Sequence, residues 1–260
     1  MTQIERAAAF AELHEKGRPL ILYNIWDAGS ARAVADAGAP ALATGSWSVA
    51  AAQGYSDGEH IPLSGLEMIV HRIIESVDLP LSVDFEGGFA VGGEQLARNV
   101  TRIIQAGAIG INFEDQIIGG EGLYLIPDQQ LRLETIRNAA NALQIPLFIN
   151  ARTDVFLKDR NPGNHEALLD HAVERALAYG DAGANGIFMP GLTSPALIAR
   201  AVEAIPLPLN IMMMPGVPDP ADLALLGVAR VSYGAGSYFE AMQGIKDAAT
   251  RLYERFTSVS

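Results

Sequence analysis

The 260-residue chain contains no cysteine. That excludes disulfides, thiolate nucleophiles, iron–sulfur clusters and cysteine-based zinc sites, so any metal must rest on oxygen or imidazole. Lysine is nearly as scarce. Lys16, Lys158 and Lys246 are the only three, and none falls at the carboxyl end of an expected strand, so a Schiff-base aldolase mechanism has no candidate amine. Positive charge is short throughout: 18 Lys and Arg face 30 Asp and Glu, for a formal net charge of -12. This balance opposes attraction to phosphate backbones and anionic membranes, and neither nucleic acid nor membrane is an expected partner. No apolar run approaches the roughly 18 residues of a membrane span. Glu5 and Arg6 also interrupt the stretch where a signal peptide would need an apolar core, so the expected setting is cytoplasmic. The histidines, His14, His60, His71, His165 and His171, fall in expected helices or loops without zinc-site spacing and are expected mostly at the surface.

What the chain does have is a repeated pattern. Short apolar runs, Leu20–Ile25, Ala41–Gly45, Leu81–Phe85, Gly110–Glu114, Leu147–Ala151, Gly186–Met189, Leu209–Met212 and Arg230–Tyr233, each precede a stretch with helical spacing. Several are continuously apolar, as parallel strands buried on both faces must be. Gly65–Ser76 and Glu94–Gln105 repeat apolar residues at three- and four-residue steps and read as covering helices. Asp36-Ala-Gly-Ala, Gln105-Ala-Gly-Ala and Asp181-Ala-Gly-Ala place glycine where each helix turns into the next strand. Eight such units in this length, with 49% apolar and 18% charged residues and no linker, predict one (β/α)8 barrel domain over 1–260. An open doubly wound sheet is the alternative, but no G-x-G-x-x-G or P-loop follows any strand.

In such a barrel, chemistry sits at the carboxyl ends of the strands. Asp84 and Glu86 end the third strand two residues apart, on one face, and Glu114 ends the fourth. Three acids at one rim without a lysine call for a divalent cation. An all-oxygen set suits Mg2+ or Mn2+, with Asp84 the direct ligand and Glu86 and Glu114 acting through water. Helix capping is the plainer role for such acids. Gly45-Ser46-Trp47-Ser48 offers amides and hydroxyls for a carboxylate or phosphate. Arg152 suits bidentate binding of a substrate carboxylate, or else a salt bridge with Asp154 or a rim acid. Asn210, Tyr23 and Asn24 could equally be satisfied core polar groups.

The pieces Asp27-Ala-Gly-Ser-Ala-Arg32, Gly45-Ser-Trp-Ser48, Gly54-Tyr-Ser-Asp57, Asp84-Phe-Glu-Gly-Gly88, Phe113-Glu-Asp-Gln116 and Asn150-Ala-Arg-Thr-Asp154 together resemble the isocitrate lyase and phosphoenolpyruvate mutase superfamily over nearly the whole chain. The resemblance implies a Mg2+ enzyme acting on a small 2-oxo or 2-hydroxy acid through an enolate-like intermediate. It implies that Asp57, Asp84, Glu86 and Glu114 surround the metal, with Glu86 where the family usually has Asp. Gly45, Ser46 and the neighbouring backbone would bind the substrate carboxylate, Arg152 would hold the substrate and stabilise developing charge, and Tyr23, Trp47 and Asn210 would complete the pocket. On this resemblance Arg152, Glu114 and Asp57 are the catalytic candidates.

The loop after the fourth strand departs from the pattern. Gln116–Pro127 lacks both the Lys-Lys/Arg-Cys-Gly-His segment of the family's lyases and the lysine of its phosphonate mutases. Glu121 and Tyr124 are the ionisable groups left there as a lid acid or base, in a segment made supple by Gly119, Gly120 and Gly122. Decarboxylation or carbon–carbon cleavage of an oxaloacetate-like acid is expected. Phosphonate mutase or hydrolase chemistry, and a barrel that binds metal and carboxylate without turnover, are the alternatives. The family also assembles as tetramers by exchanging a carboxyl-terminal helix. An amphipathic Ala235–Phe256 fits either that role or the barrel's own last helix, and a homo-oligomer, tetramer or dimer, is expected.

Overall fold

A computed structural model of the chain describes residues 1–159 and 161–257. In chain order its elements begin with α1 (Gln3–Glu12), β1 (Leu20–Leu22), α2 (Ala28–Asp36), β2 (Leu42–Ala43), α3 (Ser46–Ala52), α4 (Leu63–Ser76), β3 (Leu81–Asp84), α5 (Gly93–Gln105) and β4 (Gly110–Glu114). They continue through α6 (Ile126–Ala142), β5 (Phe148–Arg152), α7 (Val155–Lys158), α8 (His165–Asp181), β6 (Gly186–Phe188), α9 (Pro195–Ala204), β7 (Leu209–Met212), α10 (Pro220–Leu225), β8 (Arg230–Ser232) and α11 (Gly236–Thr257).

The strands pair in parallel in the order β1-β8-β7-β6-β5-β4-β3-β2. A parallel bridge between Ile25 and Thr44 joins the two ends of that series. The result is the expected (β/α)8 barrel. Every residue of β4 and β6 is buried, as the unbroken apolar run of β6 requires, whereas β4 buries the polar Asn112 and Glu114 as well. Helices cover them with their apolar faces: Leu66, Ile69, Val70 and Ile73 from α4, and Leu96, Val100, Ile103 and Ile104 from α5. Gly38, Gly107 and Gly183 adopt φ of 93°, 110° and 99°, the left-handed turn that passes each helix to the next strand.

The first strand is shorter than its apolar run because the ladder gives way to a side chain. Asn24 Oδ1 accepts from the amides of Tyr233 and Gly234, both at 2.9 Å, and Asn24 Nδ2 donates to the Thr44 carbonyl at 2.9 Å. Asn24 is thus a satisfied core polar group. The amino-terminal end of the barrel is plugged by α1: Phe10 meets Phe148 edge-on at 5.5 Å, and His14 stacks on Phe148 at 4.0 Å. Burial lowers the His14 imidazole to about 3, keeping it neutral. His165 is also buried, while His60, His71 and His171 are exposed as expected.

Helix α11 begins over the carboxyl ends of the strands, where Phe239 packs on Trp47 at 4.6 Å and Tyr238 on Trp26 at 5.0 Å. Farther along it Ile245, Leu252 and Phe256 are exposed. Among the described residues no helix is long and apolar enough to cross a membrane. Phe10→Ala is expected to remove about 3–5 kcal/mol of unfolding free energy by emptying the plug. Urea denaturation would show this as a lower midpoint at unchanged slope.

Candidate active site

Three of the expected acids stand at or just beyond the ends of β3 and β4. The Asp84 amide donates to Thr44 Oγ1 at 2.8 Å, and Asp84 Oδ2 accepts from the Ser46 amide at 3.0 Å. These bonds tie β3 to the turn between β2 and α3. Asp84 Oδ1 is buried and has no hydrogen-bond partner. Glu86 is buried, adopts φ of 49° and accepts at Oε2 from the Glu59 amide at 2.7 Å. Glu114, also buried, pairs with Arg152 Nη1 at 2.9 Å. Asp57 lies exposed in the loop after α3.

These acids feel one another. Burial first, and then repulsion from Asp84 and Asp57, pushes the Glu86 carboxyl up to about 8. Burial raises Asp84 despite Arg152 and the Ser46 amide, and Asp57 raises it further. Glu114 is held well above the usual carboxylate range by burial, with Asp154, Asp84 and Glu86 opposing the pull of Arg152. Burial works against the Arg152 charge as well, but Glu114 and Asp154 together hold that guanidinium firmly protonated. One close guanidinium shared among several buried acids leaves a surplus of carboxyl groups whose ionisation calls for further positive charge.

That surplus fits a divalent cation. Among the described residues no three His, Asp or Glu side chains are disposed to grip one ion directly. Magnesium does not require that, since it usually keeps several waters and takes one or two carboxylates. The open lone pairs of Asp84 Oδ1 would suit such a direct contact. Arg152 forms the salt bridges that were the alternative to its holding a substrate carboxylate, one to Asp154 and one to the rim acid Glu114. Nε and Nη2 grip Asp154 at 2.6 and 2.9 Å, and Nη1 meets Glu114. Of the five N–H groups of a guanidinium, these contacts leave two uncommitted.

The remaining candidates divide. Gly45 caps α3 and Ser46 opens it, but the Ser46 amide is engaged by Asp84. Trp47 is partly exposed against α11. Tyr23 donates to Glu240 of α11 at 2.5 Å, a bond that, with burial, pushes its phenol up to about 12. Asn210 is buried, accepts from Ser232 Oγ at 3.3 Å and leaves Nδ2 without a partner. The loop after β4 folds as a small hairpin through a Gln116–Leu123 bridge, with Gly119 and Gly122 at φ of 72° and 77°. Glu121 is exposed there. Tyr124 forms the foot of the loop, its amide donating to the Asp115 carbonyl at 2.8 Å. A cavity of 260 Å3 lies beside this foot, lined in part by Glu59, Gln116, Ile118, Tyr124 and Arg132.

Sequence reasoning missed the supports beneath these groups. Asp115 Oδ2 accepts from Tyr179 Oη at 2.7 Å and Arg175 Nη1 at 3.1 Å, while its Oδ1 accepts from the Asp154 amide at 3.0 Å. This network fixes the residue that grips Arg152. Arg175 and Tyr179 share a face of α8 with Leu169, Ala172 and Ala176, and a charge on that apolar stripe was the available signal. Arg230, fully buried in β8, donates to Asn112 Oδ1 at 3.1 Å. Burial lowers it to about 9 and Asp84 opposes that shift. It places a second positive charge within electrostatic reach of Asp84.

The Glu86 shift has a stability consequence in the metal-free protein. Its folded-state value exceeds the unfolded value, so its contribution is fully present below about pH 4.5 and is lost as pH rises through about 8. Wild-type protein should therefore lose more unfolding free energy between about pH 5 and 8 than Glu86→Gln does. Parallel pH profiles of urea unfolding for the two proteins would contradict the assignment.

Comparison with known proteins identifies the family. The family model described as phosphoenolpyruvate phosphomutase matches residues 10–253. A Burkholderia cenocepacia J2315 protein named as a phosphonomutase superposes with a TM-score of 0.93 at 45% identity, covering 96% of this chain and 99% of its own. Oxaloacetate decarboxylase of Pseudomonas paraeruginosa is 31% identical over 252 residues, 94% of this chain and 84% of that enzyme. 2-Methylisocitrate lyase of Escherichia coli K12 is 31% identical over 207 residues, 77% of this chain and 67% of that enzyme. A phosphonopyruvate hydrolase solved with oxalate and Mg2+ shares the fold, with a TM-score of 0.84 at 21% identity, covering 98% of this chain and 88% of its own. The family model and these relatives together place this chain in the phosphoenolpyruvate phosphomutase family, within the isocitrate lyase and phosphoenolpyruvate mutase superfamily.

Proposed function

We propose that this protein is a divalent-metal-dependent lyase that cleaves the carbon–carbon bond one carbon removed from the carbonyl of a small 2-oxo acid, with decarboxylation of an oxaloacetate-like acid as its reaction. The observation that carries this reading is the contrast between the rim and the lid. The rim holds Asp84, Glu86 and Glu114 against Arg152, whereas the lid offers only an exposed Glu121 and a Tyr124 anchored through its backbone. A reaction whose leaving group departs as carbon dioxide needs no acid to protonate that group. Mg2+ or Mn2+, when bound, supplies Lewis acidity at the carbonyl oxygen.

The chain's own residues do the rest. Asp84 would hold the cation, with Glu86, Glu114 and Asp57 ordering the waters around it. Arg152, fixed by Asp154 and Glu114, would bind the substrate carboxylate through its two uncommitted N–H groups and balance charge moving toward the carbonyl. As the carbon–carbon bond breaks, its electron pair passes into the 2-oxo acid fragment, and the carbon that lost the carboxylate then takes a proton from solvent. Ser46, Gly45, Trp47, Tyr23 and Asn210 are assigned to the pocket walls.

Phosphonate chemistry is the second reading, favoured by the 45% identity to the Burkholderia protein named as a phosphonomutase. Assembly of identical chains belongs to the same picture, because Ile245, Leu252 and Phe256 of α11 are exposed and offer apolar area to a second copy. A monomer by sedimentation would remove that part.

The test is a panel of oxaloacetate, substituted oxaloacetates, 2-methylisocitrate, isocitrate and phosphonopyruvate, with Mg2+ and then with excess chelator. Chelator-sensitive release of carbon dioxide and a 2-oxo acid is expected, and Asp84→Ala should abolish it. Conversion of phosphonopyruvate alone would install the second reading. Oxalate and Mg2+ binding without turnover of any member would identify a binding protein.

A further inference from the structure

Four described residues other than glycine have left-handed backbones, and three of them meet at one place: Glu59 at φ 60°, Glu86 at 49° and Phe89 at 55°. Such conformations persist at non-glycine residues only where the surroundings over-determine them. Here the surroundings are the side chains of Glu59, Asn99 and Arg132, which come from three separate elements. Glu59 donates its amide to Glu86 Oε2 at 2.7 Å and accepts at Oε1 from the Phe89 amide at 2.7 Å. Arg132 of α6 donates from Nη1 to the carbonyls of Ala90 and Val91, both at 3.0 Å, and from Nη2 to that of Gly87. Asn99 of α5 donates to the carbonyls of Gly88 and Phe89 at 3.0 and 2.9 Å.

The loop from Gly87 to Val91 is therefore gripped by its amides on one side and its carbonyls on the other. Its approach is close enough that a Cβ on Gly88 would lie 2.3 Å from Leu96 Cδ1, and one on Gly87 would lie 3.0 Å from Glu59 Oε1. Burial raises the Glu59 carboxyl against the pull of the Phe89 amide and Arg132. The Arg132 guanidinium also stacks over the Tyr124 ring at 4.4 Å. The grip thus spans the loop that carries Asp57, the loop that carries Glu86 and the foot of the lid.

We infer that Glu59 and Arg132 are positioning residues for the metal site, holding Glu86 in its left-handed conformation against Asp84 and Asp57. This rests on the metal-dependent reading of the rim. A clamp that served folding alone would affect stability and leave metal affinity untouched.

Mn2+ binding to the intact chain, followed by electron paramagnetic resonance without substrate, separates the two. Glu59→Ala and Arg132→Met should each weaken Mn2+ about tenfold to a hundredfold, the usual cost of losing a residue that orients a metal ligand. Glu59→Gln, whose amide oxygen still accepts from Phe89, should stay within about threefold of wild type. Arg132→Met carries the test if Glu59→Ala fails to fold. Unchanged affinity in folded Glu59→Ala or Arg132→Met overturns the inference, whatever happens to the melting temperature. Equal loss in Glu59→Gln overturns it too, by assigning the effect to charge rather than placement. Wild-type protein that binds Mn2+ but turns over no acid in the panel defeats the proposed lyase and leaves this inference standing. Wild-type protein that binds no Mn2+ defeats both.

Discussion

Like charge gathered out of water is the condition that the rest of the rim answers to. Asp84, Glu86 and Glu114 are drawn together at the ends of two adjacent strands, and burial alone lifts each toward its neutral form. A barrel whose strands register Asp84 beside Asn112 and Glu114 beside Arg152 cannot separate these groups without unpairing the sheet. It can only compensate them. Arg152 does so from the next strand and Arg230 from within the barrel, and a divalent cation of the kind proposed would supply further positive charge to the same oxygen ligands.

Compensation in turn has to be held in place. A guanidinium between two carboxylates would swing unless both were anchored, and Asp154 is anchored through its amide by Asp115, which is itself pinned by Tyr179 and Arg175. Arg175 also donates to the Tyr124 carbonyl at 2.9 Å. One helix behind the barrel therefore reaches both the support of Arg152 and the foot of the loop after β4. Within this network Arg152, Asp154, Asp115 and Arg175 each meet a neighbour that is itself held in place, which is how a polar network in low dielectric avoids the cost of partial satisfaction.

The scaffold was legible in the sequence for a simple reason. Strands buried on both faces and helices buried on one leave different apolar periods, and Gly110–Glu114 and Leu209–Met212 appear in the structure with the bounds the pattern predicts. The rim acids were legible because strand ends could be located first. What escaped was conformation that composition does not encode. Nothing about Glu59 in Asp57-Gly-Glu-His announces a left-handed backbone, and Arg132 lies in a helix whose polar residues look solvated until Gln129 and Arg132 prove buried. The bond from Tyr23 to Glu240 of α11 was equally out of sight, because the partner lies more than two hundred positions away in the chain.

Asn24 carries a last consequence. The β4–β5 seam is spread over five paired residues, so the loss of one contact leaves the others to maintain it. Between the first and second strands a single bridge is supplemented by one carboxamide, whose three bonds reach Thr44, Tyr233 and Gly234. The main-chain carbonyl of Asn24 also accepts from Ser237 Oγ, at the start of α11. Cylinder closure and the seating of the final helix are therefore one mechanical joint. Slackening at that joint would loosen both together, making it the natural fault line along which amide hydrogen exchange would first enter an otherwise continuous wall.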